Sequence, residues 1–177
     1  MKQERILLCT LILLAFAQFV YYYPQLPATV PSHFDGRGVA NGWSRKGQFF
    51  WGLGGVMALI MLTMLLPAQF FHRLPKSWLN LPHREYWTAP ERWDQTAATL
   101  REGMFAVANA SLLLFLIISQ QAIIAALSGT NAIAPLRLWL PLGAYLAFIT
   151  LWTIRFILRF YRRPADPAAD PAERDRP

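Results

Sequence analysis

Charge is what this sequence has least of. Only 15% of its 177 residues are Asp, Glu, Lys or Arg while 55% are hydrophobic, against roughly 25% charged in soluble domains. The shortage is local. It comes from four long apolar runs, which exclude an ordinary soluble surface. Cysteine is scarcer still: Cys9 is alone, so no disulfide can form within one chain and cysteine usage says nothing of the redox compartment. Ile6, Leu7 and Leu8 precede it, without the small residue of a lipoprotein cleavage site. Histidine occurs three times, at His33, His72 and His83, scattered along the chain. One His and one Asp, His33 and Asp35, cannot complete a zinc site, which takes four protein ligands or three plus water. No convergent set of nucleophile, base or metal ligands stands out, so catalytic residues, cofactor and metal are all expected to be none, and the chain is not expected to be an enzyme. The net charge of +7 does not point to nucleic acid, because the Lys and Arg residues cluster beside the apolar runs rather than on one amphipathic face.

The apolar runs are long enough to cross a membrane. Ile6 to Tyr23 holds 18 uncharged residues, about 27 Å as a helix against a hydrocarbon core of roughly 30 Å. Ala15-Phe16-Ala17 resembles a signal-peptide cleavage site. Phe19, Val20 and three tyrosines carry the apolar character past it, which predicts a retained helix with an interfacial tyrosine belt. Phe49 to Phe71 is the second run. Gly52 and Gly55 share a face there and predict close approach of a neighbouring helix. Met57, Met61 and Met64 at helical spacing read as lipid-facing or core filler. Phe105 to Leu127 is the third run. Its Asn109, Ser111, Ser119, Gln120 and Gln121 are expected to face other helices and hydrogen-bond across them, a substrate path being the alternative. The fourth run, Leu138 to Ile154, continues into Arg155, Arg159 and Arg162, which share a face and snorkel to headgroups; a stripe binding anionic lipid or a partner is the functional alternative. The expected spans are about 6–23, 49–71, 105–127 and 136–160. From Pro164 the chain is too poor in large apolar residues to bury a core, and 164–177 reads as a disordered tail. The fold class is therefore an all-α integral membrane protein, four transmembrane helices with a juxtamembrane amphipathic helix in a membrane domain over 1–163.

Two polar segments separate the runs. In Leu26 to Lys46, prolines 27 and 31 stop the first helix and Gly36, Gly38 and Gly42 permit tight turns. Asn41-Gly42 is a turn signal, but no alternating strands flank it and no hairpin is expected. Ser44 is a candidate cap for the second helix. His33 and Asp35 could bind a cation or peptide; the plainer reading is a connector whose His hydrogen-bonds a backbone carbonyl. In the segment from His72 to Gly103, Thr88-x-x-Glu91 reads as a capping box with Pro90 in the first turn. It predicts an amphipathic helix over Ala89–Glu102, with Trp93, Ala97 and Leu100 on one face. That helix either lies on the membrane surface or extends the third span, with Gly103 a plausible hinge. Glu85, Glu91, Asp94 and Glu102 read as solvated partners of nearby arginines.

The pattern P-x-x-V-P-x-H-F-x-x-x-G-x-x-x-G-W-x-x-K, from Pro27 to Lys46 between two hydrophobic spans, resembles a bacterial membrane family of unknown function, DUF family 1648. The same module occurs in SdpI-type immunity proteins, which protect a cell from a secreted toxin. A second stretch, Asn80-x-Pro82-x-x-Glu85-Tyr86-Trp87-x-x-Pro90-Glu91-Arg92, resembles a motif that follows the second helix in such proteins. The two motifs and their helices cover about 6–92. The resemblance implies a partner or ligand loop at Pro31, His33, Phe34, Gly38, Gly42, Trp43 and Lys46. It implies a second motif at Pro82, Glu85, Tyr86, Trp87, Pro90, Glu91 and Arg92.

Orientation follows from Lys and Arg. Lys2, Arg5, Arg73, Lys76, Arg84, Arg92, Arg101, Arg159, Arg162 and Arg163 fall on one side; Arg37, Arg45, Lys46 and Arg137 fall on the other. Both termini are expected in the cytoplasm of a bacterial cell, with the His33 loop outside the inner membrane and the Tyr86-Trp87 segment inside. The expected partners are the lipid bilayer, an envelope peptide or protein, and a cytoplasmic partner. The expected role is non-enzymatic, in envelope sensing or toxin immunity. A small transporter or its accessory subunit is the alternative, disfavoured because no Asp, Glu, Lys or His lies inside the first three spans.

Overall fold

The computed structural model describes residues 2–73 and 75–162; the expected tail over 164–177 lies outside them. Four helices are long and apolar enough to cross a membrane. They are α1 (Lys2–Tyr22), α2 (Lys46–Phe70), α4 (Pro90–Leu127) and α5 (Pro135–Tyr161), with a one-turn helix α3 (Arg84–Trp87) before α4. All four begin or end beyond the expected spans, because polar residues such as Lys2 and Lys46 continue the helical hydrogen bonding past the apolar core.

Helix α4 is the spine, with α1, α2 and α5 each packed on it. Its 38 residues rise about 57 Å, well beyond a bilayer core of roughly 30 Å. The juxtamembrane amphipathic helix is thus not a separate element on a lipid surface. It is the first part of α4, the extension that the sequence left open. Ala97 and Leu100 are buried against Ala68, Phe71 and Phe160, with Trp93 beside them. Gly103 is no hinge. The helix runs through it, and a Cβ there would sit 2.9–3.0 Å from the rings of Phe156 and Trp152. The missing side chain is what lets α5 approach. Gly52 and Gly55 do the reverse of what their spacing predicts: a Cβ on either meets nothing within 4 Å, so among the described residues no helix packs closely on that face.

Three apolar clusters run along α4. Leu26, Val30, Phe49, Ile123 and Ala126 form one at the end where α4 finishes. Leu8, Leu11, Phe105 and Leu112 form the middle, with Met57 against them. The Ala97 cluster closes the other end. Large apolar side chains also point away from the bundle, including Trp51 (84% exposed), Leu13 (66%) and Leu140 (64%). Surface of that kind needs an apolar partner, which a bilayer supplies.

The fold is not all-α. β1 (Thr29–Phe34) pairs antiparallel with β2 (Ala40–Arg45), with register shifts around His33. The period-2 signal is missing from the sequence because Val30 and Pro31 are both buried in succession and the irregular register breaks the alternation. Asn41-Gly42, the apparent turn, lies within β2. The real turn is Asp35–Val39, where Asp35 Oδ1 accepts from the N–H groups of Arg37 and Val39, each at 2.9 Å.

Candidate functional site: the hairpin platform and the opposite clasp

The hairpin is held to the helix ends mainly by backbone. Between α4 and α5 the chain adds a short third edge to it. Ala40 N–H donates to Asn131 O at 2.9 Å, Ile133 N–H to Gly38 O at 2.8 Å, and Val39 bridges Ala132. The Trp139 indole donates to Gly36 O at 2.9 Å. Gly38 has φ +80°, and a Cβ there would fall on the Ile133 carbonyl oxygen. Lys46, at the start of α2, donates through Nζ to Tyr23 O and Leu26 O, each at 3.2 Å, and lies 5.0 Å from the Tyr23 ring centroid. It thereby caps the carbonyl end of α1 with a cation. Ser44 does not cap α2. The N-cap is Arg45, whose N–H is met by Gln48 Oε1 at 3.3 Å.

The expected loop residues therefore divide. Pro31, Gly38 and Lys46 build the platform, and Phe34 packs on the Val30 cluster. Gly42 sits opposite His33, where a Cβ would lie 2.9 Å from the His33 Cβ. His33 and Trp43 face outward, Trp43 at 53% exposure. His33 Nδ1 pairs with the side-chain Oδ1 of Asn41, not with a backbone carbonyl. Asn41, also exposed, is a member of this surface that the sequence did not single out, since its NG context argued for a turn. Asp35 is committed to the turn.

The second motif closes the far end of the bundle by side chains. The Trp87 indole donates to Phe160 O at 2.8 Å and the two rings meet edge-on at 5.3 Å. Arg92 lies 4.0 Å from the centroid of Tyr86. Lys76 Nζ donates to Thr88 O at 2.6 Å and stands 5.2 Å from the Trp93 ring. These contacts clasp α3, α4 and α5 together. Thr88 is not the cap of α4. It terminates α3, while Ala89 is the N-cap without a side-chain bond and Pro90 opens the helix. The capping box fails because α4 starts one residue later than it requires: Ala89 takes the N-cap position and Thr88 closes α3. Pro82 is half-buried, and Glu85 and Glu91 are exposed at the rim.

Between the two ends the polar residues of α4 face other helices. Ser119 Oγ donates to Gln18 Oε1 at 2.9 Å, and Gln18 Nε2 donates to Gln120 Oε1 at 2.9 Å. Gln120 donates to the Tyr22 hydroxyl, also at 2.9 Å, and Ser111 pairs with Tyr145. Gln18, unremarked in the sequence, is the counterpart on α1.

The fold and these two ends define the class, a bundle of four helices each long and apolar enough to cross a membrane, capped at one end by a hairpin platform. Residues 10–58 match the model of a family described as a domain of unknown function (DUF1648). The match takes in most of α1, the whole hairpin and the first half of α2. It stops short of Pro82–Arg92, which lies outside the family match. No curated protein and no solved structure matches the chain.

Proposed function

We propose that this is a non-enzymatic protein of the bacterial inner membrane whose hairpin faces outward and recognises a peptide or protein of the envelope. The observation that carries the reading is the division within the hairpin. Pro31, Gly38 and Lys46 fix the backbone, while His33, Asn41 and Trp43 are left exposed on it. A rigid scaffold presenting a few polar and aromatic side chains is how binding loops are built. The excess of Lys and Arg at the clasp end supports cytoplasmic termini. The likeness to SdpI-type proteins supports a role in envelope sensing or toxin immunity, and the clasp end then meets lipid or a cytoplasmic partner. The alternative, a small transporter or accessory subunit, draws on the Gln18–Ser119–Gln120 seam. Those side chains satisfy one another, which favours helix adhesion.

The test is topology joined to phenotype. With Cys9 replaced by Ser, single cysteines at Ser32 and Ser77 are labelled in intact cells by a membrane-impermeant maleimide. Labelling at Ser32 alone is expected, and labelling at Ser77 alone inverts the orientation and ends the envelope reading. His33→Ala is then expected to abolish the cellular phenotype of the wild-type protein without lowering its membrane abundance. Lost abundance would instead mark His33 as structural.

A further inference from the structure

A cavity of about 670 Å³ lies between α1 and α5 where both pack on α4, within the size range of small-molecule sites. Its walls are apolar along α4 from Ala106 to Ile117, but one end is not. Glu4 and Asn109 line that end. Asn109 is 3% exposed. Its Nδ2 donates to the Glu4 carboxylate at 2.8 Å and to Glu4 O at 3.1 Å, while its Oδ1 is buried without a hydrogen-bond partner. That oxygen has no surface open to the cavity, so the Glu4 carboxylate is the acceptor a ligand there can reach. The Glu4 carboxylate has acceptor capacity beyond the bond from Asn109. The polar end therefore offers the open lone pairs of the Glu4 carboxylate and its negative charge, and its complement is a cationic group rich in N–H.

Depth identifies what brings that group. Asn109 is 18 residues from Leu127, the end of α4, so it lies about 27 Å from the hairpin end, near the far boundary of a hydrocarbon core of roughly 30 Å. Trp152, an interfacial residue type, lines the same cavity. The polar end stands at headgroup level and the apolar walls run from it toward mid-membrane. We propose that the cavity binds a phospholipid with a primary-amine head, phosphatidylethanolamine, its ammonium donating to the Glu4 carboxylate and one acyl chain lying between α1 and α5. The proposal rests on the helices spanning a bilayer and not on which way the hairpin faces.

The test is native mass spectrometry of the full chain in detergent, offered phosphatidylethanolamine, phosphatidylcholine and phosphatidylglycerol with the same acyl chains. Phosphatidylcholine keeps the positive charge but has no N–H. Retention of the ethanolamine lipid is expected to exceed the choline lipid by roughly tenfold, the effect of one hydrogen bond to a charged group. Glu4→Leu, which removes the acceptor together with its charge, is expected to bring the two level. Ala144→Phe, which fills the cavity from an exposed position on α5, is expected to remove the preference with the charges intact, and circular dichroism checks that both variants keep their helix content. Equal retention of the three lipids, a preference for the glycerol lipid, or an ethanolamine preference that survives either folded variant would overturn the proposal. A chain that stays in solution without detergent would instead overturn the membrane reading beneath it.

Discussion

The two ends of the bundle are closed by different chemistry. At the hairpin end the bonds converge on main chain: Ala40 to Asn131 and Ile133 to Gly38 are backbone pairs, and Lys46 Nζ meets the Tyr23 and Leu26 carbonyls just past α1. At the clasp end, aromatic rings and cations do the work, with Trp87 on Phe160, Arg92 on Tyr86 and Lys76 on Thr88 and Trp93. Backbone closure demands little of most side chains and leaves them free to face outward. Side-chain closure spends the residues that make it. That asymmetry is why the hairpin is the better candidate for recognition, and it can be broken by substitution.

The largest effect is expected at Gly38. Its φ of +80° is strained for any L side chain, and a Cβ would strike the Ile133 carbonyl that carries the hairpin's third edge. Gly38→Ala is expected to cost about 3 kcal/mol, read as a fall in thermal stability in detergent together with protease access to Asp35–Val39. Unchanged stability would mean that backbone closure does not hold this end. Next comes Gly103→Ala, which overpacks α4 against Trp152 and Phe156 at about 1–3 kcal/mol. Gly55→Ala, on an open helix face, is expected to be neutral or stabilising by up to about 1 kcal/mol, since alanine is the better helix former. The pair of melting temperatures should therefore move in opposite directions or by clearly unequal amounts.

Those two glycines also show what was legible in the sequence. Four apolar runs of bilayer length were plain, because length and absence of charge are local properties. So was the inward turning of Ser111, Ser119 and Gln120, because a polar group in an apolar helix has few alternatives. Glycine spacing was misleading: Gly52 and Gly55 lie three apart, yet the glycine that admits a neighbour is the solitary Gly103, whose reason is the Trp152–Phe156 pair about fifty residues away. The hairpin was hidden for the same reason, since its alternation is broken by burial of Val30 and Pro31 and its third edge comes from Asn131–Ile133. Tertiary contact decided each of these. At the candidate site, His33 and Trp43 could be named from the motif, but Asn41 could not, because its role depends on a strand the pattern did not reveal.

At the clasp end, Trp87→Phe keeps the ring contact with Phe160 and removes the indole donor to its carbonyl. A loss of about 1 kcal/mol is expected, measured by thermal unfolding in detergent. A loss well below that would mean the Phe160 carbonyl finds water and that the rings alone make the clasp.

The smallest effects fall on two residues whose sequence readings differ from their structural ones. Thr88→Ala should change stability by less than about 0.5 kcal/mol, because Thr88 contributes its backbone carbonyl to Lys76 and its side chain caps nothing. A loss near 1 kcal/mol would restore the capping box. His33→Ala should be equally quiet in the melt, since His33 is exposed and its partner Asn41 can turn to water. Stability thus separates Gly38 from His33 although both stand in the same motif: one holds the platform and the other stands on it. Should His33→Ala unfold the hairpin as Gly38→Ala is expected to, the His33–Asn41 pair is part of the scaffold, and Trp43 becomes the exposed motif side chain left to carry recognition.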